Sequence, residues 1–371
     1  MSSARRGAAG AAPSDADHAF MARALALAGR GLYSTSPNPM VGAVVVREGR
    51  IVAEGWHRHA GGAHAEASAL ARWRPRRGPA TLYVTLEPCV HQGRTPPCVD
   101  AILAAPVARV VVAAQDPDPR VNGRGIAALK KAGIAVEVGV RGPEAAFLNR
   151  SFFHARTTGL PYVILKSAMT LDGRIADRRG GSFWITSEAA RREGKRLREE
   201  VDAIVAGSRT VRVDDPFLAR LREHPPRPPL LKVILDPEAA VPAGARVFGD
   251  GRVVWVVGRS ARVRRLPATA SLLRLSAPGG RFPVETLLRN LAALGVQSVL
   301  VEGGGETVGG FLRAGLAQEA ALFYGMKVMG EGVNAVTGFS NSVAGAIGFR
   351  PFAVRRPGGD LYLRGSLCSP A

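Results

Sequence analysis

His64, Cys89 and Cys98 offer one imidazole and two thiols, the donor types that zinc prefers. About three protein ligands are usual in a catalytic zinc site, where one position stays open for water. Glu66 stands two residues past His64, near the metal but free to move protons. His57, His59 and His91 lie nearby in sequence, but a histidine so placed is more often a surface or substrate-contacting residue than a closing fourth ligand. The pattern therefore points to a catalytic centre holding Zn2+, with Glu66 as proton shuttle. Eight residues, Val90 to Pro97, separate the two cysteines.

A second constellation lies far downstream. Gly303-Gly304-Gly305 follows an apolar run and precedes a helical pattern, so backbone N–H groups there can face an anion. Glycine permits the close approach that a pyrophosphate needs. The run is not a G-x-G-x-x-G fingerprint, and by itself a helix-start turn explains it equally well.

The elements that must position these residues follow from periodicity. Apolar residues at helical spacing predict a helix over His18–Gly29. Val41–Val46 and Arg50–Trp56 predict a hairpin. Helices are expected at His64–Trp73, Pro97–Ala104 and Gly125–Ala132, with strands at Thr81–Thr85, Val107–Ala114 and Val136–Val140. A break at Thr157–Pro161 precedes a different α/β pattern. Its strands are expected near residues 162–168, 203–206, 232–235, 253–257, 298–302 and 321–324, and its helices near 187–200, 284–294 and 307–314. The expected organisation is a flexible lead-in over 1–16, one α/β domain over 17–148 and another over 149–371.

Composition narrows the partners. The chain has 371 residues, 46% hydrophobic, and a formal charge of +20. Its basic residues are almost all arginine and are spread along the whole length, which argues against a dedicated nucleic-acid face. Arginine does suit phosphorylated small molecules. No apolar stretch reaches the roughly 18–20 residues of a membrane helix. Three cysteines, two of them in the proposed zinc site, leave no disulfide framework and favour a cytoplasmic protein. A homo-oligomer is compatible with all of this.

The stretch Thr85-Leu86-Glu87-Pro88-Cys89-Val90-His91-Gln92-Gly93-Arg94-Thr95-Pro96-Pro97-Cys98 resembles the deaminase half of the bifunctional riboflavin-biosynthesis deaminase/reductase family. Zinc nucleobase deaminases carry H-x-E followed by P-C-x-x-C; the longer insert ending G-R-T-P-P-C is similar to that of this one family. Ser36-Pro37-Asn38-Pro39-Met40-Val41-Gly42 and Gln115-Asp116-Pro117-Asp118-Pro119 also match, with Asp118 where the family usually has asparagine. Leu165-Lys166-Ser167-Ala168-Met169-Thr170-Leu171-Asp172-Gly173-Arg174, Trp184-Ile185-Thr186-Ser187, Val205–Val211, Asp214-Asp215-Pro216 and Val301-Glu302-Gly303-Gly304 resemble the family's reductase half.

The resemblance implies a cytidine-deaminase-like three-layer α/β/α domain followed by a dihydrofolate-reductase-like α/β domain that uses NADPH. It implies that Asn38, His91 and Arg94 contact the pyrimidine substrate. Ala168, Trp184, Thr210, Asp214 and the run Gly304-Gly305-Glu306-Thr307-Val308-Gly309-Gly310 would contact NADPH. Ser182, Arg198, Leu218 and Glu302 would hold the ribose-phosphate substrate. Arg220 arrives one residue earlier than the family's arginine, as a candidate phosphate ligand. Other readings are a single-function deaminase with a non-catalytic C-terminal half, and an RNA-acting zinc deaminase.

Overall fold

The computed structural model describes residues 13–74, 78–93, 95–182 and 184–368. The chain divides into two compact units, one running to Thr158 and including His224–Arg227, the other holding the rest from Gly159 on.

The first unit contains α1 (Asp15–Ala28), β1 (Gly42–Arg47), β2 (Arg50–Trp56), α2 (Ala65–Leu70), β3 (Ala80–Leu86), α3 (Cys98–Leu103), β4 (Val107–Ala114), α4 (Arg124–Lys131), β5 (Ala135–Val138), α5 (Gly142–Leu148) and α6 (Arg150–Thr158). Helix α1 begins earlier than the apolar spacing suggests, because Ser14 and Asp17 form a reciprocal capping box. The expected lead-in therefore yields to helix by Asp15; residues 1–12 lie outside the described ones. The sheet runs β2-β1-β3-β4-β5, with β1 antiparallel to both neighbours and β3-β4-β5 parallel.

Alternation along the strands gives this sheet two apolar faces. Val45, Leu82, Val84, Val110 and Val112 pack against Ala65 and Ala69 of α2, Val99 and Ile102 of α3 and Leu129 of α4. Val44, Tyr83, Val111 and Ala113 face Met21, Ala24 and Leu27 of α1, Ala145 of α5 and Phe152 of α6. The result is three layers. Helices α5 and α6 carry this unit ten residues past the expected end at 148, since Ala145 and Phe152 are buried on its sheet.

The second unit contains β6 (Tyr162–Thr170), β7 (Arg174–Ala176), α7 (Glu188–Glu200), β8 (Ala203–Gly207), α8 (Ser208–Asp214), β9 (Leu231–Asp236), β10 (Arg252–Gly258), β11 (Ala270–Leu275), α9 (Val284–Ala293), β12 (Ser298–Val301), α10 (Gly305–Arg313), β13 (Glu319–Gly325), β14 (Val333–Asn334), β15 (Gly348–Arg355) and β16 (Leu361–Cys368). Among the described residues its main sheet has the order β11-β10-β9-β8-β12-β6-β13-β16-β15, parallel from β11 through β13. Strand β16 is antiparallel to both β13 and β15. Helices α7 and α8 cover one face and α9 and α10 the other.

The topology decides where chemistry can occur. Strands β8, β12 and β6 are neighbours, so their C-terminal ends lie side by side. Ligands of parallel α/β sheets bind outside such ends. Ala168, Gly207 and Gly303 are all delivered to that edge.

Two candidate active sites

In the first unit, His64 is the extended N-cap residue of α2, and Cys98 is the first residue of α3. Cys89 lies in the non-helical stretch after β3. It is held by backbone: its carbonyl accepts from Val99 N at 3.2 Å, and its sulfur accepts from Cys98 N at 3.4 Å. Two glycines let the surrounding elements close in. A Cβ at Gly55 would sit 2.4 Å from the Ala65 carbonyl, so α2 rests directly on β2. A Cβ at Gly125 would sit 2.0 Å from the Pro88 carbonyl, so α4 begins against the cysteine loop.

One buried carboxylate fastens that loop. Glu87 accepts backbone hydrogen bonds from Asp116 (3.3 Å), Gly123 (2.9 Å), Gly125 (2.9 Å) and Ile126 (3.1 Å). Its charge also faces the N-terminus of α4, where negative charge is favoured. Asp118, the departure from asparagine, pairs with Arg120 at 2.6 Å and with Arg156 at 3.8 Å. The hydrogen bond from Arg120 holds the Asp118 carboxyl down at about 2.

The ligand atoms of His64, Cys89 and Cys98 all lie within 4.8 Å of one another. His64 Nδ1 is 3.1 Å from Cys98 Sγ and 3.5 Å from Cys89 Sγ. Zinc bonds of about 2.0 Å to nitrogen and 2.3 Å to sulfur would span such separations, so one imidazole and two thiols fit the ion. A hydrogen bond from Cys98 holds the Cys89 thiol down, and the same contact with burial pushes Cys98 up. Glu66 is 3% exposed, and burial pushes its carboxyl up to about 7. A carboxyl so placed can both take and return a proton near neutrality.

Asn38 joins this site through His57, which sequence reasoning set aside as a surface or substrate-contacting histidine rather than a ligand. Asn38 Nδ2 donates to His57 Nε2 at 3.1 Å, while His57 Nδ1 donates to the Ala63 carbonyl at 3.0 Å. Burial holds His57 below its ordinary range, keeping the ring neutral as that pattern requires. His57 sits edge-on to His64, ring centroids 5.4 Å apart. The spacing of seven residues between two histidines was the available signal. His91 is exposed on the cysteine loop, and Arg94 lies outside the described residues.

In the second unit two adjoining cavities open at the strand ends. One, about 410 Å³, is lined by Lys166, Ala168, Ser182, Trp184, Arg198, Thr210, Asp214, Leu218, Glu302 and Gly304, among others. The other, about 500 Å³, shares Ser182, Thr210, Asp214 and Gly304 and adds Gly305, Glu306, Thr307 and Gly310. Both volumes suit small ligands. Val308 and Gly309 take no part in the lining: Val308 faces the core, and Gly309 abuts the Thr337 carbonyl.

The smaller cavity contains a buried charge cluster. Arg198 donates twice to Glu302, at 2.8 and 3.0 Å, and Lys166 Nζ lies 3.6 Å from the same carboxylate. Lys166 was not singled out from sequence, although a lysine inside the apolar run of β6 was a visible anomaly. Burial alone would push the Glu302 carboxyl up; Arg198 and Lys166 outweigh it and hold it down at about 2. Ser182 donates to Asp214 at 3.2 Å, and Arg191 stacks on Trp184 at 3.9 Å. Arg220 proves not to face a ligand. Its guanidinium turns into the fold and donates to the carbonyls of Arg198, Val201 and Pro228.

The larger cavity fits a dinucleotide. Gly304 is the extended N-cap of α10, and Gly207 and Gly303 each approach Thr307 so closely that a Cβ would clash. A Cβ at Gly305 would meet the Asn334 carbonyl at 2.4 Å. The Thr337 hydroxyl, on the cavity wall, is buried with no hydrogen-bond partner among the described residues.

Known proteins match both units of the chain. Residues 14–114 match the cytidine and deoxycytidylate deaminase zinc-binding region, and residues 161–350 match the RibD C-terminal domain. The riboflavin biosynthesis protein RibD of Aquifex aeolicus is 39% identical over 94% of this chain and 97% of its own length. The chain belongs to the RibD family. The RibD protein of Escherichia coli is likewise 39% identical, over 94% of this chain and 98% of its own. A crystal structure of the diaminohydroxyphosphoribosylaminopyrimidine deaminase/5-amino-6-(5-phosphoribosylamino)uracil reductase of Thermotoga maritima superposes with a TM-score of 0.86 at 36% identity, covering 95% of this chain and 99% of that one. Acinetobacter baumannii RibD gives 0.85 at 36% identity, with the same coverage. The protein is thus a two-domain riboflavin-biosynthesis enzyme, a zinc deaminase joined to an NADPH-dependent reductase. No helix among the described residues is long and apolar enough to cross a membrane.

Proposed function

We propose that the first unit hydrolytically deaminates 2,5-diamino-6-ribosylamino-4(3H)-pyrimidinone 5′-phosphate. The second unit then reduces 5-amino-6-(5-phosphoribosylamino)uracil to its ribityl form. The observation that carries this reading is the pairing of two complete donor sets in one chain: His64, Cys89, Cys98 and Glu66, and the twin cavities at the ends of β8, β12 and β6.

In the deaminase site His64, Cys89 and Cys98 hold the metal. Zinc supplies the Lewis acidity that makes water a nucleophile near neutral pH. Glu66, buried beside these ligands, would accept a proton from the attacking water and pass it to the departing amine. Asn38, fixed by neutral His57, presents its Oδ1 end to the pyrimidine, and exposed His91 stands on the cysteine loop; the family resemblance adds Arg94 as a substrate contact.

In the reductase site Ala168, Trp184, Thr210, Asp214, Gly304, Gly305, Glu306, Thr307 and Gly310 would hold NADPH, which when bound supplies the hydride. Arg198, Glu302, Ser182 and Leu218 position the sugar in the adjoining cavity. Lys166 Nζ faces the same cavity, 3.6 Å from the Glu302 carboxylate. Hydride transfer demands positioning and electrostatics and needs no covalent catalyst from the protein. Such small phosphorylated substrates and a thiol-bound zinc suit a reducing cytoplasm.

Glu66→Gln tests the shuttle. The variant should bind one zinc as wild type does, while deamination falls by about 10²–10⁴-fold. Full turnover with zinc bound would remove Glu66 from that role.

A further inference from the structure

Arg313, the last residue of α10, folds back along its own helix. Its Nη2 lies 4.0 Å from where a Cβ would stand on Gly310, and its Nη1 donates to the Gly338 carbonyl. Arg281 reaches the same point from the loop before α9: a Cβ on Gly338 would lie 3.5 Å from Arg281 Nη2 and 3.5 Å from Arg313 Nη1. The two cations therefore flank a single residue. Both line the larger cavity, and among the described residues neither pairs with a carboxylate. Arg209, exposed at the start of α8, lines the same cavity from another wall. Glu306 and Asp214, the acidic residues of that lining, form no ion pair with Arg281 or Arg313.

Two unneutralised guanidiniums this close repel each other, and a dianion between them would relieve the repulsion. The helix sets the scale. Gly310 stands five positions after Gly305, a rise of about 7.5 Å. An anion gripped beside Gly310 therefore stands about one ribose away from a pyrophosphate cradled at Gly304. The smaller cavity has its own cations, Lys166, Arg191, Lys195 and Arg198, for the phosphate of the reduced substrate.

We propose that Arg281 and Arg313 bind the phosphomonoester on the 2′-oxygen of the cofactor's adenosine, and so select the phosphorylated dinucleotide over its unphosphorylated counterpart. The inference rests on the dinucleotide reading of the larger cavity. It adds the residues that set cofactor choice, and it extends the cofactor site beyond the turn to the 333–338 segment that Arg313 touches.

The test uses full-length, zinc-loaded protein and reads binding rather than turnover. Dissociation constants for NADPH, NADH and adenosine 2′-monophosphate are measured for wild type, Arg281→Gln, Arg313→Gln and Arg281→Lys. Each glutamine variant should weaken NADPH and adenosine 2′-monophosphate by about 10–100-fold while leaving NADH within about twofold. Arg281→Lys keeps the charge and should fall between wild type and Arg281→Gln. Equal weakening of NADPH and NADH, or no change in either, would overturn the assignment. Weakened binding of the ribotide substrate with unchanged NADPH would move the two arginines to the substrate phosphate and also overturn it. A wild-type protein that binds neither dinucleotide would refute the cofactor reading itself, and this inference with it.

Discussion

Cys89 shows how much one side chain contributes at the smallest scale. Its sulfur is both a ligand atom and the acceptor that ties Cys98 N to the cysteine loop. Cys89→Ser should lose zinc and lower the melting temperature of the deaminase unit; a zinc content equal to wild type would remove Cys89 from the ligand set. In the other unit Glu302 gives a pH signature. Its folded value, about 2, lies below the ordinary 4.5, so its contribution is complete above 4.5 and is lost as pH falls toward 2. Between pH 5 and 3, wild type should lose roughly 2 kcal/mol more stability than Glu302→Gln; parallel losses would contradict the ion-pair assignment. The zinc ligands were legible in sequence because few residue types bind zinc and their spacing is constrained. Lys166 and His57 were not, because their roles depend on partners 136 and 19 residues away, Glu302 and Asn38.

At the scale of elements, apolar periodicity located most strands and helices to within a few residues. It failed where periodicity is absent. Helix α8 is short and polar on its exposed face, and β15 is an edge strand with mostly exposed residues, so neither carries an apolar run. No element was expected beyond residue 324, yet β14 and the residues following it pack against α10 and wall the larger cavity. The contact is too close for a side chain: a Cβ on Gly309 would stand 1.9 Å from the Thr337 carbonyl. Gly309→Ala must therefore displace that segment. NADPH affinity should fall by at least about tenfold, in the range of lost hydrogen bonds and packing, while deamination stays at the wild-type rate. Unchanged NADPH binding would show that the segment does not belong to the cofactor site.

For the whole molecule, composition excluded more than it identified. The charge of +20 suggested nucleic acid until its even spread along the chain was considered; arginine so distributed suits phosphorylated small molecules. Each unit has its own sheet and its own buried clusters, so the two chemistries are separable in principle. One chain is expected to perform both. The direct measurement is to incubate zinc-loaded protein with the diaminopyrimidine ribotide, with and without NADPH, and identify the products by mass spectrometry. The account predicts deaminated ribosyl product without NADPH and deaminated ribityl product only when NADPH is present. Deaminated product alone in both reactions would contradict it, leaving the second unit without reductase activity.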